Sequence, residues 1–305
     1  MKASVLRIIR EAGFDLAGIA PATSLDGDYA RYERWVSQGY GAGMEYLSRL
    51  GPLRADPANL LPGVRSVIVA AAAYTPVVPP GPLAAFAACP DYHALFRSRL
   101  EEAAAAIEAL APGMCRRVAV DSAPLLERAL AERAGIGWIG RSTNIITSRF
   151  GPYVLLGEIL TDLALEPDSP LPSRCEDCGR CVEACPTGAL ADSRGLDARR
   201  CLSYLTIEKR GPFSPEETEW ITGSGRAFGC DLCLAACPHA AALIAGDERP
   251  EGLLSSLPAL STAGYGTLED LCNSGFKKSF GKTPVARAGK KGMLRNLAAS
   301  RPVPL

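Results

Sequence analysis

The chain has 305 residues, of which 48% are hydrophobic and 22% are charged. This composition excludes a disordered chain and allows a sizeable core, and the length predicts two domains or one large domain with an appended module. The formal net charge is zero. The net charge therefore does not indicate a nucleic-acid-binding protein. A local basic surface is still possible at this net charge.

Hydrophobic periodicity predicts mixed helices and strands through roughly the first 165 residues. Helices are predicted over 5–12, 29–38, 91–110 and 122–134, and strands over 15–20, 64–74, 117–120 and 153–160. Either Asp121 or Ser122 is placed to cap the last of these helices. Residues 166–173 form a linker, and two further helices are predicted over 264–276 and 290–299.

The predicted fold class is α+β, with three parts along the chain. An α/β domain spans 1–165, a cysteine-rich ferredoxin-like module spans 166–245, and a short helical, basic segment spans 246–305. No apolar run is long enough for a membrane span, and the first residues lack the apolar core of a signal peptide. We therefore expect a cytoplasmic protein with no membrane association.

Cysteine usage points to metal or redox chemistry. The chain has 11 cysteines and 2 histidines. In a reducing compartment, so many cysteines favour metal binding over disulfides, and so few histidines disfavour a histidine-built metal site.

The first cysteine run is Cys175-x-x-Cys178-x-x-Cys181-x-x-x-Cys185-Pro. This is the spacing of bacterial ferredoxins, in which three thiolates hold one [4Fe–4S] cluster and the fourth reaches a second cluster. Thiolates also suit zinc, but a structural zinc site does not need the trailing Cys-Pro. We therefore prefer two clusters to a zinc site or disulfides.

A second run, Cys230-x-x-Cys233-x-x-x-Cys237-Pro, lacks its first member, whose position is taken by Ala227. Cys201 lies between the runs and can supply the eighth ligand. The crossed arrangement then predicts two ligand sets, which are Cys175, Cys178, Cys181 and Cys237, and Cys185, Cys201, Cys230 and Cys233. The cysteines outside these sets are predicted to be ordinary small apolar residues, namely Cys89, Cys115 and Cys272.

Several further segments resemble the epoxyqueuosine reductase family. They follow the family order over nearly the whole chain, at 53–74, 91–93 (DYH), 120–147 (VDSAPLLERALAERAGIGWIGRSTNIIT), 201–211 and 290–296 (KKGMLRN). The resemblance implies reduction of the epoxide of epoxyqueuosine at the tRNA wobble position to queuosine, the last step of queuosine biosynthesis. It also implies two [4Fe–4S] clusters and a cobalamin-binding N-terminal domain similar to that of reductive dehalogenases, in a short form of the family.

The resemblance assigns individual residues. Asp121 matches the family's proton donor at the cobalamin, a reasonable role because removing an epoxide oxygen as water takes two electrons and two protons. A helix cap is the alternative. Arg54 matches a position near the cobalamin, with a solvated loop arginine as the alternative. Ile145 and Leu156 match positions that line the corrinoid, with core packing as the alternative.

The sequence departs from the family at some positions. Arg141 stands where the family usually has lysine, which keeps the charge and changes the geometry. The expected partners are tRNA carrying epoxyqueuosine and an external electron donor, and the expected state is a monomer. A basic run could contact tRNA phosphates, and aromatic residues near the clusters could stack on bases. The basic run comprises Lys277, Lys278, Lys282, Arg287, Lys290, Lys291 and Arg295, and the aromatic residues are Tyr204, Phe213, Trp220 and Phe228.

Three other functions stay open at the level of sequence. A corrinoid iron–sulfur reductase of a small molecule would keep the cofactors and change the substrate. A ferredoxin-type electron-transfer protein would use its N-terminal domain only to dock partners. A zinc-ribbon nucleic-acid binder would carry no clusters.

Overall fold

The structure is a computed structural model. It describes residues 1–77, 81–175, 178–191, 195–250 and 252–301. Among these residues no helix is long and apolar enough to cross a membrane. Helices and strands are mixed along the chain, so the predicted α+β fold class is confirmed.

The predicted elements are present, with ends shifted by a few residues. The strands are β1 (Leu16–Pro21), β2 (Ser66–Ala73), β3 (Arg116–Ala119), β4 (Trp138–Ile139), β5 (Ile145–Ile146), β6 (Val154–Thr161), β7 (Leu190–Ala191) and β8 (Gly195–Leu196). The helices are α1 (Lys2–Glu11), α2 (Asp26–Ser37), α3 (Glu45–Arg49), α4 (Tyr92–Leu110), α5 (Glu127–Arg133), α6 (Arg180–Glu183), α7 (Pro215–Ser224), α8 (Leu232–Ala235), α9 (Ala241–Ala245), α10 (Pro258–Ser261), α11 (Tyr265–Phe280) and α12 (Gly289–Ser300).

One predicted helix begins later than expected. The segment from residue 122 was predicted to be helical, but α5 begins at Glu127, and its N-cap is Leu126 without a side-chain cap. The capping role considered for Asp121 is therefore wrong. Pro124 explains the delay, because the residue before a proline is biased away from the helical conformation. Asp121 itself has a positive φ of 45°, so the chain bends there before the helix starts.

A four-stranded antiparallel sheet forms the centre of the N-terminal part, in the spatial order β1-β2-β6-β3. Every residue of β2 is buried. This burial follows from a strand built almost entirely of valine, isoleucine and alanine, which packs under covering layers on both faces. The separate hairpin β4–β5 follows α5 and leads into β6.

Helices cover both faces of this sheet. One face packs on α4, because a Cβ added to Gly157 of β6 would lie 2.8 Å from Leu100. The other face packs on α5, because a Cβ added to Gly18 of β1 would lie 2.1 Å from the Ala134 carbonyl oxygen. Gly18 is opposite Val69, which is opposite Glu158. Since opposed residues share a face, Glu158 points toward α5.

A second apolar core joins distant parts of the chain. It includes Leu83 from the N-terminal part, Phe228 from the cysteine region, and Phe280 and Met293 from the C-terminal helices. The three predicted parts therefore pack against one another. The boundaries at 165 and 245 stay predictions.

Asn296 fastens α12 to the cysteine region. This side chain is fully buried. Its Nδ2 donates to the carbonyl oxygens of Thr206 at 2.6 Å and Ala227 at 2.8 Å, while its Oδ1 accepts from Arg295. Buried carbonyl groups that lose such donors keep their full desolvation cost.

We expect Asn296→Ala to lower the free energy of unfolding by about 2–4 kcal/mol, because two buried carbonyl groups lose their donor. The measurement is the midpoint of anaerobic thermal unfolding of the cluster-loaded protein. Lys291→Ala is the matched control, since Lys291 is an exposed residue of the same helix. Equal midpoints for the two variants would contradict this role of Asn296.

Candidate functional site

Four cysteines line one cavity of about 160 Å³. Cys175, Cys178 and Cys181 come from the first run, and Cys237 comes from the second. Helix α6 carries Cys181, and α8 ends shortly before Cys237, so the packing of α6 against α8 brings the two runs together. The structure thus gathers the first predicted ligand set around a common space.

The thiols of the other predicted ligand set also lie close to one another. Burial raises the pKa of Cys233, and the nearby thiols of Cys230, Cys201 and Cys185 raise it further. Cys201, the cysteine outside both runs, is thereby placed with its predicted partners. Iron would stabilise the thiolate forms of such crowded groups. Over the described ranges, no three His, Cys, Asp or Glu side chains are placed to hold a single metal ion.

The loop after β4 touches the first cysteine set directly. The Arg141 backbone N–H donates to the Cys175 Sγ at 3.3 Å. A Cβ added to Gly140 would lie 2.3 Å from Ile146 Cδ1 and 3.6 Å from the same Sγ. A side chain at position 140 would therefore have to displace Ile146, while its contact with the sulfur would be an ordinary one. The N-terminal part and the cysteine region therefore meet at the cavity.

A second cluster of chemistry-bearing groups surrounds Asp121, which follows β3. His93 lies between two carboxylates, with its Nδ1 2.7 Å from Asp91 Oδ1 and its Nε2 3.0 Å from Asp121 Oδ2. A neutral imidazole can donate from only one nitrogen, so two facing carboxylates favour the doubly protonated ring. The Asp121 side chain is 52% exposed, and that of His93 is 42% exposed.

The charges in this cluster shift each other's pKa. The hydrogen bond to Asp121 raises the pKa of His93, outweighing partial burial, and Asp91 adds to the rise. Burial alone would raise the pKa of Asp121, but the hydrogen bond and charge of His93 lower it overall. Both side chains keep exposed surface, although the surrounding protein removes part of their hydration. They therefore line a recess that is open to solvent. We name the groups around Asp121 the acidic recess.

Two more carboxyl groups lie behind Asp121. Glu127 Oε1 accepts a hydrogen bond from the Asp121 backbone N–H at 2.6 Å. Burial raises the pKa of Glu127 to about 7, and the charge of Asp121 contributes to the rise. Glu158 is fully buried, no donor group among the described residues reaches its carboxyl oxygens, and the Glu127 carboxyl is within hydrogen-bond reach. Burial, followed by the charges of Glu127 and Asp121, raises its pKa well above the ordinary value.

The remaining predicted site residues are placed near this recess or in the core beneath it. Arg54 is 7% exposed, and it donates to the Tyr32 hydroxyl at 3.2 Å and to the carbonyl oxygens of Ala123 and Leu125. The alternative of a solvated loop arginine is therefore wrong. Ile145 and Leu156 are both buried in the main core. Leu156 lies on the same face of β6 as Glu158.

The basic run divides into two groups. Its lysines are exposed. Arg295 instead donates to backbone carbonyls of residues 205, 209 and 211 and lies 4.0 Å from the Phe213 ring centroid. Arg287 pairs with Glu208 through two contacts of 3.0 Å, and its charge also reaches Asp121. Phe228 is fully buried, so this aromatic residue is a core residue.

Sequence reasoning did not single out His93, Glu127 or Glu158 as individual site residues. One local signal was available, because Glu158 is the single charged residue of an otherwise apolar strand. Such a residue is rarely buried without a reason. No local sequence pattern links Glu127 with Glu158, because their side chains come together only when α5 packs on the sheet.

The fold and the two cysteine sets first indicate the general class of the protein. Residues 174–240 match the family model "4Fe-4S double cluster binding domain", so this is a protein with two [4Fe–4S] clusters. Residues 54–122 match the model "Epoxyqueuosine reductase QueG, DUF1730".

Sequence identity to known proteins then shows the family. An epoxyqueuosine reductase of Pseudomonas aeruginosa is 37% identical over 306 residues, covering 95% of this chain and 81% of that protein. One of Gloeobacter violaceus is 45% identical over 236 residues, covering 75% and 73% of the two chains. The chain belongs to the epoxyqueuosine reductase family.

Solved structures agree with this assignment. The epoxyqueuosine reductase of Streptococcus thermophilus has a TM-score of 0.86 at 28% identity, with coverage of 98% of this chain and 80% of that one. An epoxyqueuosine reductase crystallised with an epoxyqueuosine-modified tRNA stem loop has a TM-score of 0.85 at 29% identity, with the same coverage.

We expect Cys201→Ala to lower the iron content from about eight to about four atoms per chain, because one of two [4Fe–4S] clusters loses a ligand. Iron and sulfide analysis, with EPR spectra of the reduced protein, measures the loss. Cys115→Ala is the control, since Cys115 is exposed and outside both sets. An unchanged iron content in Cys201→Ala would remove Cys201 from the ligand set.

We expect the pKa of His93 to lie above its ordinary value and to fall in Asp121→Asn. A raised folded-state pKa contributes stability that is complete below the unfolded-state pKa and is lost as pH rises through the raised value. NMR titration of ¹³C-labelled histidine measures the pKa directly. The chain has 2 histidines, so a His239→Gln spectrum assigns the signals. An unshifted His93 in the wild-type protein would contradict the ion pair.

Proposed function

We propose that this protein reduces the epoxide of epoxyqueuosine in tRNA to the alkene of queuosine. The observation that carries the proposal is an acidic recess in the same chain as a two-cluster domain. Removing the epoxide oxygen as water takes two electrons and two protons. The two-cluster domain supplies the electrons, and the acidic recess supplies the protons. The relatives support this reading, since one solved structure of the family is a complex with an epoxyqueuosine-modified tRNA stem loop.

We assign the two clusters to the two cysteine sets. The donor chemistry fits, because four thiols line one cavity and the four others lie close enough to act on one another's charge. When bound, the clusters transfer electrons one at a time. The Arg141 backbone N–H would stabilise the charge on Cys175 Sγ. The electrons come from an external donor.

We assign cobalamin to the N-terminal part, where it would supply a strongly reducing cobalt centre. A corrinoid needs an apolar wall for its ring and polar groups for its amide rim. The residue types fit these needs, because Ile145 and Leu156 are apolar, while Arg54 and Asp121 both lie close enough to Glu127 for their charges to act on it. These four residues are our proposed contacts.

We place the first proton on the His93–Asp121 pair. The raised pKa of His93 keeps a proton on Nε2, 3.0 Å from Asp121 Oδ2. Asp121 then delivers this proton to the departing oxygen from an exposed position in the recess. Asp91 holds the other ring nitrogen and orients the imidazole.

We propose that tRNA binds across the exposed lysines of the basic run, since lysine side chains neutralise phosphates. Lys277, Lys278 and Lys282 are all exposed. Arg287 lies nearer the recess, because its charge reaches Asp121. A monomeric state and a cytoplasmic location stay predictions.

Turnover tests the proposal. The cluster-loaded protein, with cobalamin, a strong reductant and tRNA carrying epoxyqueuosine, should release nucleosides that have lost one oxygen, as measured by mass spectrometry. Asp121→Asn should lower kcat by about 10²–10⁴-fold, because it removes a proton-transfer group. Asp26→Asn is the control, since Asp26 is an exposed aspartate of α2.

Failure of a fully loaded protein to convert this tRNA would contradict the proposal. It would favour reduction of a small molecule by the same cofactors. Conversion that does not depend on cobalamin would remove the corrinoid from the scheme while keeping the substrate.

A further inference from the structure

Glu158 is an unusual residue for the middle of a sheet. It lies on the central strand β6, opposite Val69 on one side and Ala119 on the other, and it is fully buried. No donor group among the described residues reaches either carboxyl oxygen, and the Glu127 carboxyl is within hydrogen-bond reach. An ionised carboxylate without partners in such a place is strongly destabilised, so the neutral acid is favoured.

Glu127 faces Glu158 from the first position of α5. The groups that act on Glu158 are the carboxyls of Glu127 and Asp121. Those that act on Glu127 are Asp121 and the guanidinium groups of Arg128 and Arg54. The two arginines favour ionised Glu127 but do not offset its burial. Glu158 is fully buried and Glu127 is half-buried. Two such neighbouring carboxyl groups cannot both ionise readily, so the pair retains a proton near neutral pH.

One member of the pair, Glu127, also contacts Asp121, which is the residue that faces the substrate in the proposed function. Glu127 Oε1 lies 2.6 Å from the Asp121 backbone nitrogen, so its carboxyl is beside the Asp121 loop. Asp121 in turn faces His93, Tyr92 and Arg287. The recess is open to solvent, so one water molecule can link the Glu127 and Asp121 carboxyl groups.

We propose that Glu127 and Glu158 hold one proton in common and return it to Asp121, supplying the second proton of the reduction. This inference rests on the proposed function. Two C–O bonds of the epoxide break and one C–C π bond forms. An external one-electron donor supplies the two electrons through the clusters. The oxygen leaves as water with one proton from the His93–Asp121 pair and one from the glutamate pair.

The test uses Glu127→Gln and Glu158→Gln in the cluster-loaded protein. Glutamine keeps the shape and, at position 127, an oxygen that can still accept from the Asp121 N–H, but it cannot store a proton. Glu132→Gln is the matched control. Glu132 lies in the same helix, and its Oε1 accepts from the Ile139 backbone N–H at 2.8 Å.

The first readout does not need turnover. Infrared difference spectra of ¹³C-glutamate-labelled protein near neutral pH report the C=O stretch of a protonated carboxyl group. We expect this band in the wild-type protein and in Glu132→Gln, and its loss in Glu158→Gln. A wild-type spectrum without a protonated glutamate would overturn the inference whether or not the protein turns over.

The second readout is the pH profile of kcat. We expect Glu127→Gln and Glu158→Gln to lower kcat at least about tenfold with KM unchanged, because reprotonation of Asp121 becomes limiting. Wild-type activity should fall as the pair loses its proton at rising pH, and the variants should lose that limb. Glu132→Gln should match the wild type.

The outcomes separate the two proposals. A wild-type protein that converts no substrate contradicts the proposed function, while the infrared result still decides whether the proton is shared. A converting wild type with unchanged variants overturns only the glutamate pair. Weaker cobalamin binding in Glu158→Gln, with an unaltered pH profile, would also overturn it and make Glu158 a corrinoid contact.

Discussion

The meeting of two separated cysteine runs around one cavity is the constraint on which the rest of the structure depends. Cys237 reaches the first run only because α8 packs against α6. The loop after β4 closes the same cavity, with its backbone N–H on Cys175. This contact couples the N-terminal part of the chain to the cysteine region.

The acidic recess is organised by paired charges. His93 is held between two carboxylates, which keeps a proton close to Asp121. Asp121 has a positive φ of 45°, a strained conformation for a non-glycine residue, and the hydrogen bond to Glu127 stabilises it. Backbone strain and carboxyl groups with a raised pKa, such as Glu127 and Glu158, are both typical of sites shaped for chemistry.

The C-terminal helices contribute to both regions. Asn296 and Arg295 donate hydrogen bonds to backbone carbonyls of the cysteine region. Arg287, paired with Glu208, extends its charge toward Asp121. The segment that contains the basic run therefore also holds the cysteine region in place, while its lysines stay exposed.

Local patterns determined much of this protein in advance. The cysteine spacings indicated two clusters because ligation of a cluster by a short run is set by chain geometry over a few residues. Apolar runs indicated the strands because burial on both faces demands them. They also indicated the long helix α4. These features depend on neighbours in sequence, so the sequence alone could determine them.

Tertiary structure decided what depends on distant neighbours. The pairing of Glu127 with Glu158 exists only because α5 lies on the face of β6 that carries Glu158. The proton affinity of a carboxyl group depends on its hydration and on the charges around it, and only the folded chain determines those.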